Sequence, residues 1–178
     1  MKKTTFYIIV LLSLSYLTSC TSRVKHDDPF YYYDSFSTMR IPLIEPIEVK
    51  RLNSSSPWDL SIIPGIYIEL PETQGSEYHH IYFYAHVREL EKFAVKDDII
   101  LAYSSFIDKE TDVSIQDNYY HWFVSIPEKE ITKGFHTEDE FLEYIQTLGI
   151  DNPDWQNPDE VFTKFRITGC LEWIPDCE

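Results

Sequence analysis

Residues Tyr78–Val87 read YHHIYFYAHV. Ile81, Phe83, Ala85 and Val87 alternate with His80, Tyr82, Tyr84 and His86. A period of two predicts a β-strand with one face on a core and one face outward. Three histidines in ten residues also raise a metal site. His80 and His86 share a face, but six residues of extended chain separate them by roughly 20 Å. His79 points the other way. No ion can be shared by the strand's own histidines, so neither metal nor cofactor is expected here. What remains on the polar face is a set of aromatic and imidazole groups. Tyr82, Tyr84 and His86, joined by Tyr119 and His121 from another strand, are the candidate partner-binding face. Tyrosine offers large contact area at low entropic cost.

Working outward, the same period recurs. "MRIPLIEPIEVKRL" (39–52) is β-branched, but Pro42 and Pro46 exclude a central strand, so it reads as an edge strand or extended arm. Trp58, Leu60 and Ile62 alternate with Asp59 and Ser61. Pro64-Gly65 signals a turn, and Ile66, Ile68 and Leu70 begin a further strand. Phe93 and Val95 lead into an Asp97-Asp98 turn with a return strand over 99–104. "YYHWFVSI" (119–126) is the last strong strand of this block. The period then changes. Thr137 and Glu140 form a capping box, Phe141, Tyr144, Ile145 and Leu148 follow at helical spacing, and Gly149 supplies the stop. Asn157-Pro158 opens a further helical turn. "FTKFRITG" (162–169) reads as a closing strand. The fold class expected is α+β: a mainly antiparallel β-sheet with one main helix, about 137–148, packed on it. The helix is the competing cover for the Tyr82/Tyr84 face.

Residues 108–119 alternate acidic and polar groups in the manner of a calcium loop. Val113 and Tyr119 stand where that loop needs its turn glycine and bidentate glutamate, so a solvated acidic loop is expected. No G-x-S-x-G elbow, H-E-x-x-H pair or phosphate-binding glycine loop is present. The expectation is a protein that binds rather than catalyses.

The N-terminus says where the chain goes. Lys2 and Lys3 precede an apolar run, Phe6–Tyr16, too short to span a bilayer. It closes on Leu17-Thr18-Ser19-Cys20. This combination resembles the lipobox of bacterial lipoproteins. The resemblance implies cleavage before Cys20, a diacylglyceryl group on the Cys20 thiol and a further acyl chain such as palmitate on the new N-terminus. Two or three chains hold a protein at a membrane where one holds weakly. Residues 1–19 are then a signal peptide, 20–36 a lipidated tether, and 37–178 one globular α+β domain. Thr21 follows the cysteine in place of the aspartate that retains lipoproteins at the inner membrane. The expected destination is the outer membrane, periplasmic face, with the cell surface as the other destination. In such a compartment Cys170 and Cys177 pair as a structural disulfide, contributing about 2–3 kcal/mol on the chain-entropy model.

The chain carries a formal charge of −15, and losing residues 1–19 removes two lysines and no acid. That balance argues against nucleic acid and anionic lipid surfaces and favours a basic partner or simply solubility. The layout, with the "RIPLIEPIEVKRL" segment at its head, also resembles small lipoproteins encoded beside secreted antibacterial toxins, which act as immunity proteins. The resemblance implies an inhibitor that neutralises a toxin in the periplasm. Two other roles are consistent with the sequence. One is a lipid-anchored glycan-binding module using exposed tyrosines and Trp58, Trp122 or Trp155. The other is a structural accessory of an envelope complex. Sequence does not set the oligomeric state.

Overall fold

Strand alternation builds two antiparallel sheets. The computed structural model describes residues 28–32, 39–69, 81–106 and 120–177, with the side chains of 68–69 and 81–84 left aside. The first sheet is a meander of β1 (Met39–Pro42), β2 (Glu48–Arg51), β3 (Asp59–Glu69) and β4 (Ile81–Val87). The second is a meander of β5 (Lys92–Lys96), β6 (Ile99–Tyr103), β7 (Trp122–Ile126) and β8 (Ile131–Phe135). Two helices follow, α1 (Glu138–Thr147) and α2 (Pro158–Thr168). The class is α+β with sheets dominating, as expected.

The layers follow from which residues each strand turns inward. Val49, Leu60, Ile62 and Val87 of the first sheet pack with Phe93, Ile100, Ala102 and Phe123 of the second. The alternate residues of the second sheet, Ala94, Leu101, Trp122, Val124 and Ile126, pack with Phe141 and Ile145 of α1. All five residues of β7 are therefore buried, because it is covered on both faces. Burying a side chain of the size of Phe123 or Phe141 contributes about 1.5–3 kcal/mol each.

The α1 prediction holds in detail. Thr137 Oγ1 accepts the Glu140 N–H at 3.3 Å, and Glu140 Oε2 accepts the Thr137 N–H at 3.2 Å. Gly149 takes φ +79°, the left-handed region that ends the helix cheaply. The expected closing strand over 162–169 is corrected: this segment is the body of α2. Asn157 Oδ1 accepts the Asp159 N–H at 2.9 Å, Pro158 opens the first turn, and Gly169 closes the helix at φ +70°. Val161, Phe162 and Phe165 then share a buried face with the first sheet's core. Helical spacing of those three, fixed by caps at both ends, outweighs the β-favouring Thr163, Ile167 and Thr168 of the same segment.

Two further readings change. The 39–52 segment is a hairpin, β1 against β2, and β1 is the edge strand. Pro64-Gly65 does not end a strand. β3 runs through it with an irregularity, the Ile63–Pro64 peptide being cis. β8, which the pattern of ITKGF did not announce, completes the second sheet beside β7. Phe30 and Tyr31, within the expected tether, pack on the domain: Tyr31 is buried, and the Phe30 carbonyl accepts from Arg40 Nη2.

Cys170 and Cys177 form a disulfide with Cα atoms 5.5 Å apart. The loop they close places Leu171 and Ile174 in the core.

Candidate functional site

One face of the first sheet is spent on the core. The other carries Lys50, Ser61, Ile63 and His86, of which Lys50, Ile63 and His86 are exposed. The strand pairing explains the grouping. Lys50 stands opposite Asp59, and Ser61 opposite His86. Residues directly opposite in an antiparallel pair point to the same side. The loop after β2 sets Leu52 beside them, 82% exposed. Together Lys50, Arg51, Leu52, Pro57, Ser61 and His86 line a groove of about 410 Å³. Ile63, 50% exposed, and Tyr67, 71% exposed, are further open side chains on β3.

Each polar group in the groove has a defined setting. Lys50 Nζ is ion-paired with Glu48 on its own strand. Glu48 also faces Arg40, whose Nε lies 3.2 Å from Glu48 Oε2 as an ion pair without hydrogen-bond geometry. His86 Nδ1 is 3.5 Å from Ser61 Oγ, the outer limit of a hydrogen bond. Asp59, the acid on the same strand, uses Oδ1 to accept the Glu89 N–H at 3.1 Å. Among the described residues no carboxylate holds the His86 imidazole, so Ser61, His86 and Asp59 do not make a nucleophile, base and orienting acid. The groove presents the His86 imidazole, the Ser56 and Ser61 hydroxyls, the Lys50 and Arg51 cations and the Asp59 carboxylate beside the apolar Leu52 and Pro57.

The five residues expected to form one face are divided by the fold. His86 lines the groove on the first sheet. Tyr82 and Tyr84 lie on the same strand, opposite Ile68 and Ile66; their side chains lie outside the description. Between the Ser61–His86 and Ile66–Tyr84 pairs β3 advances five residues while β4 advances two. The extra length on β3 makes a bulge in that strand. His121 sits at the entrance to β7 in the second sheet, half-buried, with Nδ1–H donating to the Ser104 carbonyl at 2.9 Å. Its own N–H and C=O bond Phe135 and Ser104. That histidine fastens strand ends together. Tyr119, Cys20 and the 108–119 loop lie outside the described residues. The helix expected as a cover packs on β7 and β8 of the second sheet.

The tryptophans named for a glycan platform are not open rings. Trp58 and Trp122 are buried and Trp155 is half-buried. Among the described residues no cluster of His, Cys, Asp and Glu could hold a metal ion, and no helix is long and apolar enough to cross a membrane. Lys50, Leu52, Ile63 and Tyr67 escaped the sequence reading because their grouping depends on pairing across strands. Leu52 alone carried a signal, an isolated aliphatic residue in the polar run KRLNSSSP.

No family model, no curated protein and no solved structure matches this chain.

Proposed function

We propose that this chain is a lipid-anchored protein-binding protein of the bacterial envelope, an immunity-type inhibitor that neutralises a secreted antibacterial toxin in the periplasm. The observation that carries the reading is the exposed outer face of the first sheet, where the groove at His86 is bordered by Leu52 and Ile63 is also exposed. A rigid sheet with a small apolar-rimmed concavity suits docking of another folded protein. Lipidation at Cys20 would hold the inhibitor at the outer membrane, where an incoming toxin first meets the periplasm. The acidic chain would speed encounter with a basic toxin, the more so at low salt.

The test is direct. The product of the neighbouring gene is expressed in the periplasm of a sensitive host, with and without this chain. Protection, together with a complex recovered by size exclusion, is the expected result. Full toxicity in the presence of the mature, membrane-located chain, with no complex formed, would overturn the reading.

A further inference from the structure

One row of cross-strand neighbours crosses the second sheet: Lys92 opposite Tyr103, Tyr103 opposite Trp122, Trp122 opposite Phe135. α1 covers one end of this row. Phe141 stacks on Trp122 with centroids 5.0 Å apart and meets Phe135 edge-on at 6.0 Å. The other end stays half-buried, and there a third ring arrives from the connection between the helices. Trp155 is held in place by its neighbour Gln156, which exchanges two backbone hydrogen bonds with Phe93 at 3.1 and 2.8 Å. The outcome is three rings around one ammonium. Lys92 Nζ lies 5.0 Å from the Tyr103 centroid, 4.9 Å from Trp122 and 4.7 Å from Trp155. All three distances fall within the range where a cation is drawn to a ring face. Among the described residues Lys92 has no ion pair, although the chain holds 30 acidic residues.

We propose that Tyr103, Trp122 and Trp155 form a cation-recognition cage, occupied by Lys92 in the isolated chain, which a lysine or arginine of a basic protein partner enters by displacing Lys92. The rings are fixed by a sheet row and a backbone bridge, so the cage keeps its form when its occupant changes. The exchange replaces one cation by another, which leaves the ring attraction in place. The displaced Lys92 side chain regains rotamer freedom in water, and an incoming guanidinium stacks on indole better than an ammonium does. Two carboxylates stand at the rim: Glu91 and Glu138 both add to the upward shift that burial gives the Tyr103 phenol. They favour a basic visitor. The identity of the partner rests on the immunity reading; the cage does not.

Tetramethylammonium chloride, against sodium chloride at equal ionic strength, is the probe, with tryptophan fluorescence and ring-proton NMR shifts as readouts. Lys92→Ala empties the cage, and Lys92→Gln is the second variant should the first fail to fold. Expected is saturable binding at least tenfold tighter in the emptied cage than in the wild-type chain, lost again when Trp155→Ala is added. A folded K92A or K92Q that binds the probe no better than the wild type would overturn the cage. In the complex with the toxin, W155A should weaken affinity at least tenfold, and unchanged affinity would overturn the exchange. Failure to find any toxin partner would sink the immunity reading and leave the probe titration standing.

Discussion

The indole N–H of Trp173 donates to the carbonyl oxygen of Pro42 at 2.9 Å, across 131 residues of sequence. The same ring meets Phe93 edge-on with centroids 5.8 Å apart. One side chain thus touches β1 of the first sheet and β5 of the second. It is carried in the loop closed by Cys170 and Cys177. Reducing that bond, or replacing both cysteines by serine, is expected to lower stability by about 2–3 kcal/mol, through loss of the loop constraint. Trp173→Phe, which keeps the ring and loses the donor, should cost about 1 kcal/mol. Thermal melts with and without reductant measure both, and an unchanged melting temperature after complete reduction would refute the role of the loop.

Arg51 joins α2 to the first sheet. Its Nη1 is 2.6 Å from Asp159 Oδ1, and its guanidinium lies 4.2 Å from the Trp58 ring centroid. The Trp58 indole N–H donates to the same Asp159 oxygen at 3.1 Å. Arg51 is largely buried while Asp159 is exposed, so solvent weakens the pair. Asp159→Ala should still cost about 1–2 kcal/mol, because two donors lose their acceptor. Urea denaturation checks this, with Arg51→Met in a double-mutant cycle to isolate the coupling.

Gly134 is required by the ring of Tyr120, just before β7. A Cβ at this position would run into the ring of Tyr120, which lies over the bare backbone. Tyr120 in turn meets Phe123 edge-on at 6.4 Å. Gly134→Ala is expected to destabilise by about 1–3 kcal/mol through forced displacement of that ring. The double change Gly134→Ala with Tyr120→Ala should cost less than the two single changes added together, which equilibrium unfolding would show.

Glu140 links the capping box to pH. The Thr137 N–H hydrogen bond is the main cause that holds its carboxyl below the usual glutamate range; the Thr137 hydroxyl and the His136 N–H act in the same direction. A carboxyl with its folded pKa below its unfolded one stabilises the fold fully above the ordinary glutamate range. That contribution fades as pH falls through this range toward the lowered value. Glu140→Gln should flatten this part of the acid limb of a stability–pH curve. Parallel curves for the two proteins below pH 5 would contradict it.

Leu52 and His86 are exposed, so they can be changed with little effect on folding. On the inhibitor role proposed above, Leu52→Asp and His86→Asp should each weaken affinity for the toxin at least tenfold while leaving the melting temperature nearly unchanged. Calorimetric titration and a thermal melt on the same samples separate the two effects, and tight binding by both variants would move the interface elsewhere.

Several elements could be read directly because their signals are local. The capping box at Thr137 and Glu140 needs four residues, and it placed α1 to within a residue. The Asp97-Asp98 turn with its flanking strands is similarly local. α2 shows how local evidence can divide. Asn157-Pro158 announced a helical turn, while the Thr- and Ile-containing FTKFRITG invited a strand. The decision came from burying Val161, Phe162 and Phe165 in the first sheet's core, whose β1 lies more than a hundred residues earlier. The candidate site was less legible still. His86 was visible as a polar residue on a strand face, but nothing in YHHIYFYAHV says that Ser61 is opposite it or that Lys50 and Leu52 stand alongside. Nor does the pattern of β4 reveal the bulge in the neighbouring β3.

The sequence by itself determined the periods of the strands, the capped start and glycine stop of α1, and the acidic charge balance. These depend on backbone geometry and composition, which are set within a few residues. Only the tertiary structure decided that eight strands divide into two sheets and that α1 covers the second. It also decided that His86 and His121 part company, and that Lys92 meets three rings. Those outcomes rest on pairing and packing between distant segments, where the free energy comes from contacts no short stretch contains.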